Sequence, residues 1–193
     1  MNAQRNVPLT EKKGIRKLRD LLQQFASPET YLFGIRDFAP AFPELSYDAL
    51  KMLLARAVAD GLLTRICSGV YGYPLVRWPG GYVLYHVAAR LRADTFCYLS
   101  LESALSDWGV ISQIPLQWIT VMTGGRSGKI VCPSYGTIEF IHTKKKPSAL
   151  SPELVYDTRC RMWRANAKLA LQDMKDTQRS LDLIDWEAID ELV

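Results

Sequence analysis

The chain has 193 residues, 48% apolar and 23% charged, which suits a soluble globular protein of one large domain or two small ones. Its formal charge of +4 is unevenly spread. Residues 1–78 carry 11 basic against 7 acidic side chains, residues 79–147 carry 7 against 4, and residues 148–193 carry 6 against 9. No run approaches the length of a membrane span, the first residues lack the apolar stretch of a signal peptide, and four scattered cysteines without a Cys-x-x-Cys pair exclude ordinary zinc-site spacing. The expectation is a cytoplasmic protein with reduced thiols, no metal and no cofactor.

In chain order, Thr10 is positioned to cap a first helix whose inward stripe is Ile15, Leu18, Leu22 and Phe25. Lys12, Lys13, Arg16, Lys17 and Arg19 decorate its other faces, and Ser27-Pro28 closes it. A short second helix is expected from Asp37 to Phe42, interrupted by Pro40, with Pro43-Glu44-Leu45 as a turn. Ser46 then reads as the N-cap of a third helix. There Leu50, Leu53, Leu54, Ala57 and Val58 recur at three- and four-residue steps, while Tyr47, Lys51, Ala55, Arg56 and Ala59 stay exposed. Gly61 ends it, because glycine enters the left-handed region without steric cost. Leu62–Cys67 and Val70–Tyr73 follow as β-branched and aromatic runs around a Ser68-Gly69 turn, a short hairpin with Arg65 and Arg77 on or near it. Helix, turn, helix and hairpin in this order are the layout of a winged helix-turn-helix, which presents one helix to a DNA major groove.

Pro74, Pro79 and Gly80-Gly81 mark the end of this first unit. A helix is expected from Tyr82 to about Arg92. Phe96–Leu99 is strand-like, and from Ser100 the period turns helical, with Leu101, Leu105 and Trp108 on one side and Gly109 as the stop. Trp118–Met122 and Thr137–His142 read as strands, the second placing Ile138, Phe140 and His142 on one face, with Lys129-Ile130-Val131 between them after a Gly-rich turn. Pro147–Pro152 is read as a linker, Cys160, Trp163, Ala167, Ala170 and Met174 as one helical seam, and SLDLIDWEAIDELV as an acidic amphipathic end. The fold class is therefore α+β: a winged helix-turn-helix over residues 1–78, then a small mixed α/β domain with a C-terminal helical segment over residues 79–193.

Catalytic patterns are incomplete. The loop TGGRSGKI fails as a phosphate loop, since Thr123 stands where the first glycine belongs and Ile130 where a magnesium-binding hydroxyl belongs. No nucleophile sits in a recognisable elbow, two histidines give little material for a triad, and Glu139 with Lys144 lacks nuclease spacing. Lys144-Lys145-Lys146 is read as a solvated strand end. The expectation is a protein that is not an enzyme.

YLFGIRDFAPAFPELSYDALKMLLARAVADGLLTRICSGVYGYP resembles the N-terminal winged helix of AbiEi-family antitoxins, the antitoxin halves of AbiE type IV toxin–antitoxin and phage-exclusion systems. YLSLESALSDWGVISQIP, WITVMTGGRSGK and YGTIEFIH are similar to successive blocks of that family, as is ANAKLALQDMKDTQRSLDLID, so the resemblance spans nearly the whole chain. It implies a DNA-binding transcriptional regulator that represses its own operon at inverted repeats in its promoter. It also implies a C-terminal domain that counters an AbiEii-like nucleotidyltransferase toxin without required direct contact. The DNA-binding set is Ser46, Tyr47, Lys51, Arg56 and Arg65, with Arg77, Lys12, Lys13 and Arg16 as further phosphate contacts. Two other readings stand beside it: a winged-helix regulator with a ligand- or partner-sensing domain and no toxin, and a protein-interaction module without DNA binding.

Overall fold

In the computed structural model, residues 9–112 and 117–192 are described, with side chains from residue 13 onward. The described chain is mixed α+β, with eight α-helices and two sheets, and it divides between Pro79 and Gly80 into two compact units. No described helix is long and apolar enough to cross a membrane.

The first unit opens with α1 (Leu9–Phe25), which buries Leu18 and Leu22. Thr10, read as its cap, is instead inside the helix, which is already formed at Leu9, and the side chains of Thr10 and Lys12 lie outside those described. Phe25, expected inward, is 58% exposed: it is the last helical residue, and with Leu21, Phe33, Phe38 and Pro40 it lines an open groove of 390 Å³. A strand that the sequence pattern hides in three residues, β1 (Leu32–Gly34), comes next. The second helix, α2 (Ile35–Phe38), begins before Asp37 because the Asp37 carboxylate caps its start, accepting from the Gly34 N–H at 2.7 Å. Pro40 lies in the 3-10 turn Ala39–Ala41, where its missing N–H costs nothing.

Helix α3 (Tyr47–Ala59) is capped as expected, with the Ala49 N–H donating to Ser46 Oγ at 3.2 Å. It buries Leu50, Leu53, Leu54 and Ala57, each leucine worth about 1.5–3 kcal/mol. At its other end Gly61 (φ +72°) forms a Schellman closure: the Leu62 N–H reaches the Ala57 carbonyl at 2.8 Å and the Gly61 N–H reaches that of Val58 at 3.1 Å. The hairpin β2 (Thr64–Cys67) and β3 (Val70–Gly72) follows, turning at Gly69 (φ +79°). The three strands form an antiparallel sheet in the order β1-β3-β2. Trp78 then folds back, donating from Nε1 to the Tyr73 carbonyl at 2.7 Å and packing on Tyr31, with ring centroids 5.4 Å apart.

The second unit starts with α4 (Val83–Leu91), then β4 (Cys97–Leu99) and α5 (Leu101–Asp107). Next come β5 (Trp118–Thr123), β6 (Gly128–Cys132) and β7 (Gly136–His142). With β8 (Leu154–Asp157) and β9 (Met162–Ala165) these strands form a six-stranded mixed sheet in the order β6-β7-β5-β4-β9-β8. Its centre is apolar on both faces, as in sheets covered by helices: α4 packs over β5 and β7, while Met122 joins Leu101, Leu105, Ala170 and Met174 in the core on the α5 side.

Two expectations fail here. Pro147–Pro152 is no linker: α6 (Pro147–Leu150) and a 3-10 turn (Ser151–Glu153) bury Leu150 and lead directly into the sheet. The seam from Cys160 to Met174 is not one helix. Cys160 lies in a turn with Arg161 at φ +56°, Trp163 lies in β9, and only then does α7 (Ala167–Asp176) begin, capped by Asn166; β8 precedes the seam. A period-2 strand followed by a period-3.6 helix mimics 3-4-3-4 spacing over a few positions. The chain closes with α8 (Trp186–Asp190), whose Ile189 is buried.

Candidate nucleic-acid interface

Helix α3 is held by its cap, by the leucine stripe and by the glycine closure, so its outward face is fixed relative to the hairpin. Tyr47 and Lys51 lie on this exposed surface near the capped end. Arg65 lies on β2 with Tyr71 directly opposite on β3, and its Nε donates to the Cys67 carbonyl at 3.5 Å. Burial pushes the Tyr71 phenol up, the Arg65 charge pulls it down, and Tyr47 pushes it up again. Tyr47, Arg65 and Tyr71 are thus electrostatic neighbours, joining the start of α3 to the hairpin.

Arg56 belongs to a different group. At 100° per residue it sits about 140° around the α3 axis from Lys51. There it shares a groove of 640 Å³ with Lys13 and Lys17 of α1, over a floor of Phe42, Leu45 and Leu53. The Lys17 ammonium stands 4.8 Å from the centre of the Phe42 ring. Basic residues therefore flank the α3 face, Lys51 on one side and Arg56 with Lys13 on the other. Between them lie Ala55, Ala59 and two residues that sequence reasoning did not select, Asp48 and the 56%-exposed Met52. Their signal was their helical angle alone.

Arg16 is exposed on α1 but does not line the groove. Arg77 is exposed beside Trp78, whose ring packs at Gly72, so it stands at the base of the hairpin and away from the Ser68-Gly69 tip.

In the second unit the polar groups are engaged in holding the fold. Asp173 is completely buried; its carboxylate accepts from Tyr98 Oη at 3.0 Å, Ser100 Oγ at 2.7 Å and Lys145 Nζ at 2.7 Å. Lys145 also pairs with Asp176 at 2.8 Å, so the middle lysine of the triplet is anchored, against the expectation of a solvated run. Burial pulls its ammonium down, but the two carboxylates outweigh this and raise it above its ordinary value. The Tyr98 phenol is pushed strongly up by burial and by the Asp173 charge. Arg179 bridges Glu102 at 3.2 Å and Glu139 at 2.8 Å.

His86 is buried against the Arg159 carbonyl at 2.7 Å, its imidazole lowered chiefly by burial, and His142 Nδ1 lies 2.8 Å from the Gly125 carbonyl. Burial pushes the Cys97 and Cys160 thiols up to about 11, away from nucleophilic thiolate character. Among the described residues no group of three or more His, Cys, Asp or Glu could hold a metal ion.

Compared with known proteins, the chain matches no protein-family model and no curated sequence.

Proposed function

We propose that the chain is a DNA-binding autorepressor and antitoxin of the AbiEi type, with the first unit reading its own promoter and the second countering a nucleotidyltransferase-like toxin. The observation that carries the DNA-binding half is topological. The order α1-β1-α2-α3-β2-β3, with the sheet arranged β1-β3-β2, is what a winged helix requires: a short strand pairs behind the hairpin and leaves α3 outward. On this reading α3 enters the major groove, Lys51 and Arg65 contact phosphates on one side of it, and Lys13 and Arg56 serve the other. The outward face offers small residues, one carboxylate and one methionine where guanine-reading arginines would stand. Backbone neutralisation and groove shape then carry much of the affinity. The antitoxin half rests on the four sequence blocks that resemble the family, and the chain acts without a cofactor in this scheme.

Footprinting over the chain's own upstream DNA at low ionic strength tests the reading, with protection of paired half-sites expected. In a gel-shift titration over several salt concentrations, Lys51→Ala weakens binding and flattens the salt slope by about one unit, the signature of one lost phosphate contact. An unchanged slope overturns the role of Lys51, and absence of any protection overturns the regulatory function.

A further inference from the structure

The groove between α1 and α3 has a chemistry that DNA phosphates leave half unused. Among the described residues its rim carries three cations, Lys13, Lys17 and Arg56, against one carboxylate, Glu44, while its floor is apolar and its lip is the 56%-exposed Met52. Methionine beside a deep apolar floor is a common trait of protein-binding grooves, whereas a phosphate backbone offers nothing to bury there. The groove fits an occupant that is both acidic and apolar.

The chain itself carries such a surface. Residues 180–192 hold five carboxylates, Asp182, Asp185, Glu187, Asp190 and Glu191, and no lysine or arginine. Ile184 and Ile189 anchor this segment on the second unit, which leaves Leu183 at 56% and Trp186 at 49% exposure among those acids. Tryptophan and leucine facing solvent amid single-sign charge match the groove in both polarity and sign.

We infer that the α1–α3 groove receives the C-terminal segment of a second copy of the chain, Trp186 seating beside Met52 while the carboxylates face Lys13, Lys17 and Arg56. Every copy carries both groove and segment, so one such contact is enough to join two copies. The association is salt-sensitive because its rim is ionic, and it needs no DNA.

Sedimentation of the purified full chain without DNA, over a wide range of protein and salt concentrations, tests this. A monomer–dimer equilibrium weakened by salt is expected. Met52→Glu and Trp186→Ala each change an exposed side chain and each lower dimer affinity about ten-fold or more, with thermal melts unchanged. Mixing the two variants restores association above that of either alone, since the Trp186→Ala groove is intact and so is the Met52→Glu segment. A chain that stays monomeric at every concentration overturns the inference, as does a dimer indifferent to both substitutions or a mixture no more associated than its components. The DNA-free readout keeps this result separate from that of the footprinting.

Discussion

Asp173 shows how a buried charge is made tolerable. A carboxylate removed from water is costly unless its lone pairs are filled, and here Tyr98, Ser100 and Lys145 fill them. Asp173→Ala removes the acceptor shared by two buried hydroxyls and one of the two anions holding Lys145. A loss of about 3–5 kcal/mol in denaturant-measured stability is expected. Asp173→Asn, which keeps an acceptor oxygen, loses less.

Asp157 is the clearer pH probe. Burial pushes its carboxyl up, but the Arg159 side chain, the Arg159 and Cys160 N–H groups and the Arg164 charge outweigh that and hold it at about 2, below its ordinary 3.8. Because the folded value is the lower one, its stabilisation is complete above the unfolded value and is lost as pH falls toward about 2. Asp107, raised chiefly by burial, works in the opposite direction. The stability gap between the chain and Asp157→Asn therefore stays constant near neutrality and narrows between about pH 4 and pH 2, as denaturant titrations at each pH will show.

At the scale of elements, α3 was readable in advance because each of its signals is local. Ser46→Ala removes one cap and is expected to cost about 1 kcal/mol, seen as a lower melting temperature. The Gly61 closure, the Ser68-Gly69 turn, α4, and the change from β4 to α5 were legible for the same reason. What escaped was non-local. β1 has three residues and exists only because β3 pairs with it. β9 was absorbed into a false helical seam and β8 went unread, since their proof is the pairing of Tyr156 with Trp163 and of Val155 with Arg164. The junction into α5 is also held from afar. Leu101 sits at φ +57°, a strained value for a branched residue, while Thr120 of β5 accepts from the Ser103 N–H at 3.2 Å and donates to the Ser100 carbonyl at 2.7 Å.

At the scale of the whole molecule, composition anticipated a basic first part and an acidic end but not where the charges converge. Lys51 and Arg56, neighbours in sequence, stand on opposite flanks of one helix face; Lys13 and Arg56, far apart in sequence, share one groove. If the two units divide the labour as proposed, a chain ending at Pro79 retains part of the operator affinity in gel shifts. It also loses protection when the toxin is co-expressed. Growth rescue by that shortened chain would refute the division.

The packing of Trp78 has a practical consequence. It is the first unit's sole tryptophan, and its ring fills the space a side chain at position 72 would need, with carbons 2.3 and 2.4 Å from where a Cβ would stand. Its indole emission therefore reports on the integrity of one small sheet. Subtracting the spectrum of a Trp78→Phe variant from that of the intact chain isolates an optical signal from the first unit, with no dye attached.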